Sequence, residues 1–371
     1  VFKTIQKTIP YRALRKVYRA CRKQIRRMYR YEMLRKHYPK LYNKYAARPV
    51  NEKKVVFIEV RESKISDSFS LMYKKVQEEH KYEIHTHFLR SGFSKRKDYQ
   101  HACEAMITDI ADAKYIFLNE SSDVIAALPM RKETIVTQLW HGCGAFKKFG
   151  QRGTNIPVPT DIATHAQYNL VSVSGENVRS IYADAFDVNY QKVQALGTPR
   201  TDDYFNKKLI SKKKRQIYLK HPKLLFKSVI VYAPTFRDTD GNRNEFHPEI
   251  DFDLLSKSLL PNQILLICPH PIMDAPILPH EYRNILEVRD FSTNDYMLIS
   301  DMLITDYSSV IFEYALLGKP IAFFCYDLLI YDRDFYLKYP DDLPGDVFKT
   351  QEELTEYLRN PEKHVLTDKY T

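Results

Sequence analysis

Short apolar segments alternate with helical stretches along this chain of 371 residues, and that alternation constrains its fold more than any other feature. The segments are continuously apolar, which is typical of parallel strands buried on both faces of a sheet. Parallel strands must be joined by crossovers, and predicted helices such as Phe69–Glu79 and Glu176–Ala185 would provide them. The pattern therefore predicts an α/β fold with doubly wound parallel sheets. The predicted strands are Val55–Val60, Tyr82–Leu89, Lys114–Asn119, Thr134–Trp140, Tyr168–Val173, Val193–Gly197, Ser228–Ala233, Gln263–Cys268, Ile285–Val288, Met302–Thr305 and Pro320–Tyr326.

The strand–helix pattern is interrupted by the lysine-rich stretch Lys207–Lys223. Single cores stop growing at roughly 250–300 residues, so two domains are expected. We predict a basic helical arm over residues 1–50, a Rossmann-like domain over 51–205 and a second Rossmann-like domain over 206–371. The chain contains neither G-x-G-x-x-G nor G-x-x-x-x-G-K, so it supports neither a dinucleotide site nor a P-loop.

The positive charge is concentrated in residues 1–48. That segment holds 16 Lys and Arg and one acid, Glu32, whereas the other 323 residues hold 41 Lys and Arg against 45 Asp and Glu. Apolar residues recur among the cations at spacings of three and four, which predicts a basic amphipathic helix. Such helices lie on anionic membrane surfaces. A helical arm docked on the domain is one alternative, and nucleic-acid binding is another that the acidic body disfavours.

The cysteines and the apolar content exclude other classes of protein. The five cysteines are scattered and none forms a C-x-x-C pair, which predicts a reducing compartment without disulfides or a zinc site. No stretch approaches the ~18 consecutive apolar residues of a membrane-spanning helix. We therefore predict neither a structural metal nor an integral membrane protein.

Ligands of doubly wound sheets bind at the carboxyl ends of the strands, so polar residues that follow the strands are the candidates. After the fourth strand, His141 and Gly142 follow the only Trp, and Lys147 and Lys148 come shortly after. A neutral imidazole can accept a proton, while lysines and exposed backbone N–H groups can hold an anion. The alternative is a histidine packed in a turn. Cys143 has no acyl-transfer partners around it and is disfavoured as a nucleophile.

Two further candidate segments follow strands in the second half. Thr235 and Arg237 lie in the sequence APTFRD, where a hydroxyl and a planar guanidinium suit phosphate oxygens. His270 lies between two prolines that fix an extended turn, and it is either a ligand contact or a structural histidine.

The fourth segment follows the strand Met302–Thr305. Asp306 ends that strand, and Ser308 and Ser309 begin a predicted apolar helix that reaches Gly318, a residue suited to a C-terminal cap. Hydroxyls and unpaired N–H groups at a helix start form a phosphate site. Simple N-capping by serine is the alternative.

Together these segments resemble the CDP-glycerol glycerophosphotransferase family, the polyol-phosphate transferases of teichoic acid and capsule synthesis. The resemblance extends over roughly residues 55–357 and rests on WHG at 140–142, GTPR at 197–200, APTFRD at 233–238, His270 and TDYSSVIFEYALLGKPIAFF at 305–324. It implies a GT-B-like fold in which an acceptor domain and a nucleotide domain face a cleft. It also implies peripheral attachment to the cytoplasmic face of the membrane, and it makes His141 and His270 the catalytic pair. Cys143 and Gly144 replace the usual Thr and Pro of the family's WHGTP, which bears on the choice of acceptor.

The resemblance implies transfer of glycerol phosphate from CDP-glycerol to an undecaprenyl-diphosphate-linked acceptor, with release of CMP. His141 would act as general base, and His270 would contact the phosphate or protonate the leaving group. The donor would be bound by Thr235, Arg237, Asp306, Ser308 and Ser309. Acceptor or phosphate contacts would come from Gly142, Lys147, Lys148 and Arg200. No resident cofactor is predicted, with Mg²⁺ as the open alternative.

Three other functions are weighed against this prediction. The motifs do not separate a CDP-glycerol enzyme from a CDP-ribitol enzyme. A nucleotide-sugar glycosyltransferase could share the architecture, and a non-catalytic scaffold could bind membrane through residues 1–48. No nucleic-acid partner is predicted.

Overall fold

The computed structural model describes residues 9–89, 96–153, 162–235, 237, 248–270, 273, 275–331 and 334–363. The chain divides into two compact units. The first contains Val1–Trp140, Pro157–Ser172 and Phe186–Lys192, and the second contains His141–Ile156, Val173–Ala185 and Val193–Thr371. The second unit thus includes segments that precede residue 205. The predicted domain bounds and their roles stay predictions.

The first sheet has six strands in the order β2-β1-β3-β4-β5-β6. Strand β1 pairs in parallel with β2 and β3, and β4 pairs in parallel with β3 and β5. The order in which the chain adds strands to the sheet therefore reverses beside β1, as in doubly wound folds. Apolar residues of β1 are fully buried, which explains their unbroken run in the sequence. The strands are β1 Asn51–Glu59, β2 Glu83–Phe88, β3 Ala113–Leu118, β4 Ile135–Gln138, β5 Leu170–Ser172 and β6 Val193–Gln194.

The second sheet has six strands in the order β12-β11-β10-β7-β8-β9, and all its pairs are parallel. Alternate residues of β7 enter two separate cores: Val229 and Val231 lie in one, and Ile230 and Tyr232 lie in the other. Both faces are therefore covered, as predicted. The order reverses between β7 and β10, so their carboxyl ends form the topological switch point of this sheet. The strands are β7 Ser228–Ala233, β8 Gln263–Ile267, β9 Ile285–Glu287, β10 Met302–Thr305, β11 Ile321–Phe324 and β12 Asp346–Phe348.

The helices connect these strands and cover the sheets. A turn of π-helix, Met33–His37, joins α1 to α2, and short 3-10 turns include Pro199–Phe205. The α-helices are α1 Ile9–Glu32, α2 Tyr38–Tyr45, α3 Asp67–Glu78, α4 Arg96–Ile110, α5 Asp123–Ala127, α6 Glu176–Phe186, α7 Lys207–Lys220, α8 Phe252–Ser258, α9 Thr293–Ile299, α10 Val310–Ala315 and α11 Gln351–Arg359.

Three differences from the sequence predictions concern single elements. The lysine-rich stretch expected to interrupt the pattern is helix α7, because Asn206 caps its start and Ile217 is buried in the core. Strand β12 was not predicted, since it is an edge strand without a fully buried residue. The helix expected to reach Gly318 ends at Ala315, and Gly318 follows with the left-handed φ of +62°. That backbone conformation suits glycine at a helix end.

The described part of the basic arm, from Ile9 onward, is helical, and its later part packs against the rest of the first unit. The Tyr29 hydroxyl donates to Gln100 Oε1 at 2.6 Å, and Met33, Leu34, Tyr38 and Tyr42 are buried. Before Tyr29, apolar side chains of α1 are exposed: Val17, Tyr18, Ile25 and Met28 each expose more than 60% of their surface. Among the described residues, no helix combines the length and apolar content that crossing a bilayer requires.

Candidate active site

The carboxylate of Asp306 joins the ends of β7 and β10 at the switch point of the second sheet. Thr235 N donates to Asp306 Oδ1 at 2.9 Å, and Tyr307 N donates to the same oxygen at 2.6 Å. Asp306 is 1% exposed. A carboxylate that accepts main-chain N–H groups fixes both loops firmly, since such charge-assisted bonds are stronger than neutral ones. The two loops predicted to bind the donor are therefore held together.

Arg237 lies between two carboxylates. Its Nη2 donates to Asp306 Oδ2 at 2.9 Å, and its Nε donates to Asp327 Oδ2 at 2.6 Å. Burial lowers the pKa of this guanidinium, but its hydrogen bond with Asp327 and the charges of both aspartates outweigh that effect and raise the pKa. Arg237 therefore stays cationic, and its planar fork orders this part of the site. Its predicted contact with phosphate stays a prediction.

Two aromatic rings border the same guanidinium. Tyr307 and Tyr331 are stacked with centroids 3.9 Å apart, and the Arg237 Cζ lies 5.1 Å from each centroid. Thr235 is 6% exposed, and its Oγ1 has no hydrogen-bond partner among the described residues. A buried hydroxyl of this kind is costly unless a ligand or water pairs with it. Thr235 is accordingly the predicted donor contact that the geometry favours most.

Ser308 and Ser309 are half-buried at the start of α10. Ser308 Oγ accepts from Val310 N at 3.4 Å, and Ser309 makes no side-chain cap. Because α10 has only six residues, its helix dipole contributes less to anion binding than the longer predicted helix would. The two hydroxyls, rather than the helix dipole, are the features that support a phosphate site here.

The loop that carries His141 begins at a conformationally unusual residue. Trp140 has a φ of +58°, and its N–H donates to Gln138 Oε1 at 2.8 Å. A left-handed backbone is unfavourable for a bulky residue and persists only where the surrounding structure holds it. Beyond it, the Tyr182 hydroxyl donates to the carbonyls of Gly142 at 3.1 Å and Gly144 at 3.3 Å. The main chain around His141 is therefore fixed.

Arg200 connects this loop to α10. Its Nη1 donates to the His141 carbonyl, and its Nε lies 3.1 Å from Glu313 Oε1. Glu313 exposes 3% of its side chain. Burial raises the pKa of its carboxyl, while the Arg200 charge and, to a smaller extent, Cys143 and His141 oppose the rise. His141 itself is half-buried and lies in the same compact unit as the predicted donor residues.

The two lysines predicted to bind phosphate or acceptor contact a later segment of the second unit. Lys147 Nζ donates to the Tyr331 hydroxyl at 3.1 Å, and Lys148 Nζ lies 3.2 Å from Asp334 Oδ2. A β-bridge between Lys147 and Phe335 adds to this connection. Their role in acceptor binding stays a prediction.

His270 is exposed on the loop after β8, where its carbonyl accepts from Met273 N at 2.8 Å. Its place at the carboxyl end of a strand agrees with the sequence analysis. Its catalytic role stays a prediction.

Two residues that the sequence analysis did not single out also hold this site. Glu313 lies within an apolar helix, and an acid in such a run was the available signal. Tyr182 carried no signal, because its partners are main-chain carbonyls distant in sequence. Within the described ranges, His, Cys, Asp and Glu do not form groups of three or more that could hold a metal ion.

This architecture defines the class of protein. It is an α/β, GT-B-like fold with two doubly wound parallel sheets, and polar residues are gathered at the switch point of the second sheet. Residues 41–370 match the sequence profile described as CDP-glycerol:poly(glycerophosphate) glycerophosphotransferase. The chain therefore belongs to this family.

Characterised relatives agree with that assignment. The chain is 36% identical over 330 residues to a teichoic acid poly(ribitol-phosphate) polymerase of Bacillus spizizenii, covering 86% of this chain and 52% of the polymerase. It is 34% identical over 314 residues to a teichoic acid ribitol-phosphate primase of that organism, covering 81% of this chain and 80% of the primase. The chain thus spans about half the length of the polymerase.

A solved structure of the wall teichoic acid polymerase TagF superposes with a TM-score of 0.72 at 25% identity. The match covers 92% of this chain and 88% of the TagF chain. The fold predicted from the sequence is confirmed.

Proposed function

We propose that this protein transfers a polyol phosphate from a CDP-linked donor to a lipid-linked teichoic acid or capsule acceptor and releases CMP. The observation that carries the proposal is the family match over residues 41–370, within which every predicted site residue lies. The geometry at the switch point supports it, since Asp306 joins the two loops that carry the predicted donor contacts.

The donor is CDP-glycerol or CDP-ribitol. The family description names glycerol, as the sequence analysis predicted. The two relatives described above are ribitol-phosphate enzymes, and this specific observation makes CDP-ribitol the second candidate. A nucleotide-sugar glycosyltransferase remains the more distant alternative.

The proposed mechanism assigns a task to each group of residues. The acceptor hydroxyl attacks the β-phosphorus of the donor while His141 removes its proton, and the bond from that phosphorus to the CMP oxygen breaks. Thr235, Ser308 and Ser309 would bind the diphosphate. Arg237 and Asp306 would order the site. Lys147 and Lys148 would contribute positive charge as negative charge develops on the departing CMP. His270 would contact the transferred phosphate or protonate CMP.

We further propose that the protein acts at the cytoplasmic face of the membrane, bound through residues 1–48 to anionic lipids. The exposed apolar residues of α1 and the surrounding cations support this location. The acceptor is proposed to be undecaprenyl-diphosphate-linked, which suits an enzyme on that surface. We propose that no resident cofactor is needed, with Mg²⁺ bound alongside the donor diphosphate as the alternative.

Product analysis tests the reaction. The protein is incubated with a synthetic lipid-diphosphate acceptor and, separately, CDP-glycerol, CDP-ribitol or a UDP-sugar, and the products are weighed by mass spectrometry. We expect CMP release and a mass gain of one or more polyol phosphates with one CDP-polyol. Transfer from neither CDP-polyol would overturn the proposed function, and transfer from a UDP-sugar would support the glycosyltransferase.

His141→Ala tests the assigned base. We expect turnover to fall by roughly 10²–10⁴-fold, the usual contribution of a positioned base. CDP binding, measured by calorimetry, should remain. His101→Ala is the matched control, because His101 is exposed on α4. Near-normal CMP release from His141→Ala would show that another group is the base.

A further inference from the structure

A buried acid, Glu313, is connected through Arg200 to the loop that carries the proposed base, His141. Glu313 is 2% exposed within α10, where its neighbours Ile311 and Tyr314 are apolar or aromatic and buried. Burying a carboxylate is unfavourable unless a partner compensates for the lost hydration. The partner here is Arg200, whose Nε lies 3.1 Å from Glu313 Oε1. Replacing such a buried pair by apolar residues is often neutral or stabilising, so folding alone gives little reason to keep it.

Arg200 transmits the position of Glu313 to the loop. Its Nη1 donates to the carbonyl of His141, so one guanidinium contacts both the Glu313 carboxylate and the main chain of His141. The same helix meets the loop a second time, because the Phe312 ring fills the space beside Gly144. The loop is therefore located against α10 by two adjacent residues of that helix.

The start of α10 carries the residues proposed to bind the donor phosphates. Glu313 follows Ser309 by four residues, which is about one helical turn or ~6 Å along the axis. A rigid helix then fixes the distance between the anchored His141 loop and the Ser308–Ser309 hydroxyls. Reaction rates depend steeply on such distances, and a displacement of about 1 Å can lower a rate about 10²-fold.

We propose that Glu313 is a positioning residue for the transfer reaction, which acts through Arg200 to hold the main chain of His141 at a fixed distance from the donor phosphates. This inference rests on the proposed function. Glu313 touches no substrate in this role. It predicts that loss of the Glu313–Arg200 contact lowers turnover while leaving nucleotide affinity nearly unchanged.

Glu313→Gln is the primary test, because it keeps the size of the side chain and removes its charge. We expect kcat to fall about 10–100-fold, with the KM for the CDP-polyol and the Kd for CDP changed less than about twofold. Asp301→Asn is the matched control: it makes the same carboxylate-to-amide change in the second unit, at the amino-terminal edge of β10, where Asp301 accepts from Val229 N. It should leave kcat within about twofold.

A double-mutant cycle separates positioning from general damage. If Glu313 acts through His141, Glu313→Gln should lower the residual rate of His141→Ala by less than about twofold. An additive loss would mean that Glu313 acts independently of His141 and would overturn the proposal. Arg200→Lys provides a second variant should Glu313→Gln fold poorly. One ammonium cannot reproduce the two contacts of the guanidinium, so a similar loss of kcat is expected.

The single tryptophan gives a readout that does not require catalysis. Trp140 directly precedes His141 and is 9% exposed. Release of the loop in Glu313→Gln should increase quenching of its fluorescence by acrylamide, whereas Asp301→Asn should not. Unchanged quenching together with unchanged kcat would overturn the inference and leave the proposed function intact. A wild-type chain that transfers neither polyol would overturn both.

Discussion

At the scale of single residues, the Phe312 ring occupies the position that a side chain at Gly144 would take. A Cβ built on Gly144 would lie well inside van der Waals contact with the Phe312 ring. The resembled family usually has proline at the position of Gly144, and a proline ring would occupy the same space. Glycine at this position thus fits the aromatic ring that packs against it, and the shape of this loop depends on both residues together.

Gly144→Ala tests this packing. We expect it to lower the free energy of unfolding by about 1–3 kcal/mol, the usual cost of overpacking. The change is measured on the unfolding transition of the second unit, which contains both Gly144 and Phe312. Gly175→Ala is the control, since a Cβ there meets only the Asn177 Oδ1, at 3.0 Å, on a side chain that can move.

The double variant Gly144→Ala with Phe312→Leu should recover part of that loss, because the smaller side chain makes room for the methyl group. If the double variant lost as much stability as the two single variants together, the Phe312 ring would not be what restricts the size of residue 144.

The sequence was sufficient to predict that Thr235, Arg237 and Asp306 follow strand ends, because strand ends follow from local patterns. These three residues do lie together at the switch point of the second sheet. The sequence did not predict that Arg237 pairs with Asp327, 90 positions away, because no local pattern encodes a contact between distant loops. The role of Glu313 was missed for a related reason: its partner, Arg200, comes from a different motif.

At the scale of elements, helix α1 has two parts with different environments. Met33 and Leu34, just after its end, are buried against the first unit, whereas Ile25 and Met28 are exposed. The docked-arm interpretation therefore fits the end of the arm, and the membrane-surface interpretation stays a prediction for the exposed part of α1. Periodicity predicted the helix, but it could not show where docking begins, because the apolar stripe continues through both parts.

Ile25→Glu combined with Met28→Glu tests the exposed part. We expect binding to anionic vesicles to fall at least tenfold, because two apolar side chains are lost from the bilayer side and two negative charges are added. Vesicle cosedimentation measures binding, and circular dichroism should be unchanged. Leu219→Glu is the control, since Leu219 is 71% exposed on α7. Equal vesicle binding by the double variant and the wild type would remove the membrane proposal.

At the scale of the whole molecule, the two sheets pack against different buried cores. The second sheet, β7–β12, has one core on each face, and both of these cores lie in the second unit. The predicted donor residues all lie in that unit too. The strand–helix pattern predicted both sheets, and their fold is confirmed. It did not predict that the segment His141–Ile156 belongs to the second unit, because a loop carries no apolar periodicity that could assign it to a core.

Calorimetry can test this division. We expect two unfolding transitions rather than one, because multidomain chains depart from two-state behaviour. CDP at 100 times its Kd should stabilise one transition by about 2.7 kcal/mol and leave the other nearly unchanged. A single two-state transition, or an equal shift of both, would contradict the assignment of the whole donor site to the second unit.

The hydrogen bonds of Asp306, which hold the loops after β7 and β10 together, have an evolutionary consequence. Its carboxylate holds the neighbouring loop through the main-chain N–H of Thr235, not through the threonine side chain. Any residue except proline offers that N–H. Descendants of this chain could therefore exchange the side chain at position 235, and with it the contact proposed for the donor diphosphate, while the two loops keep their geometry.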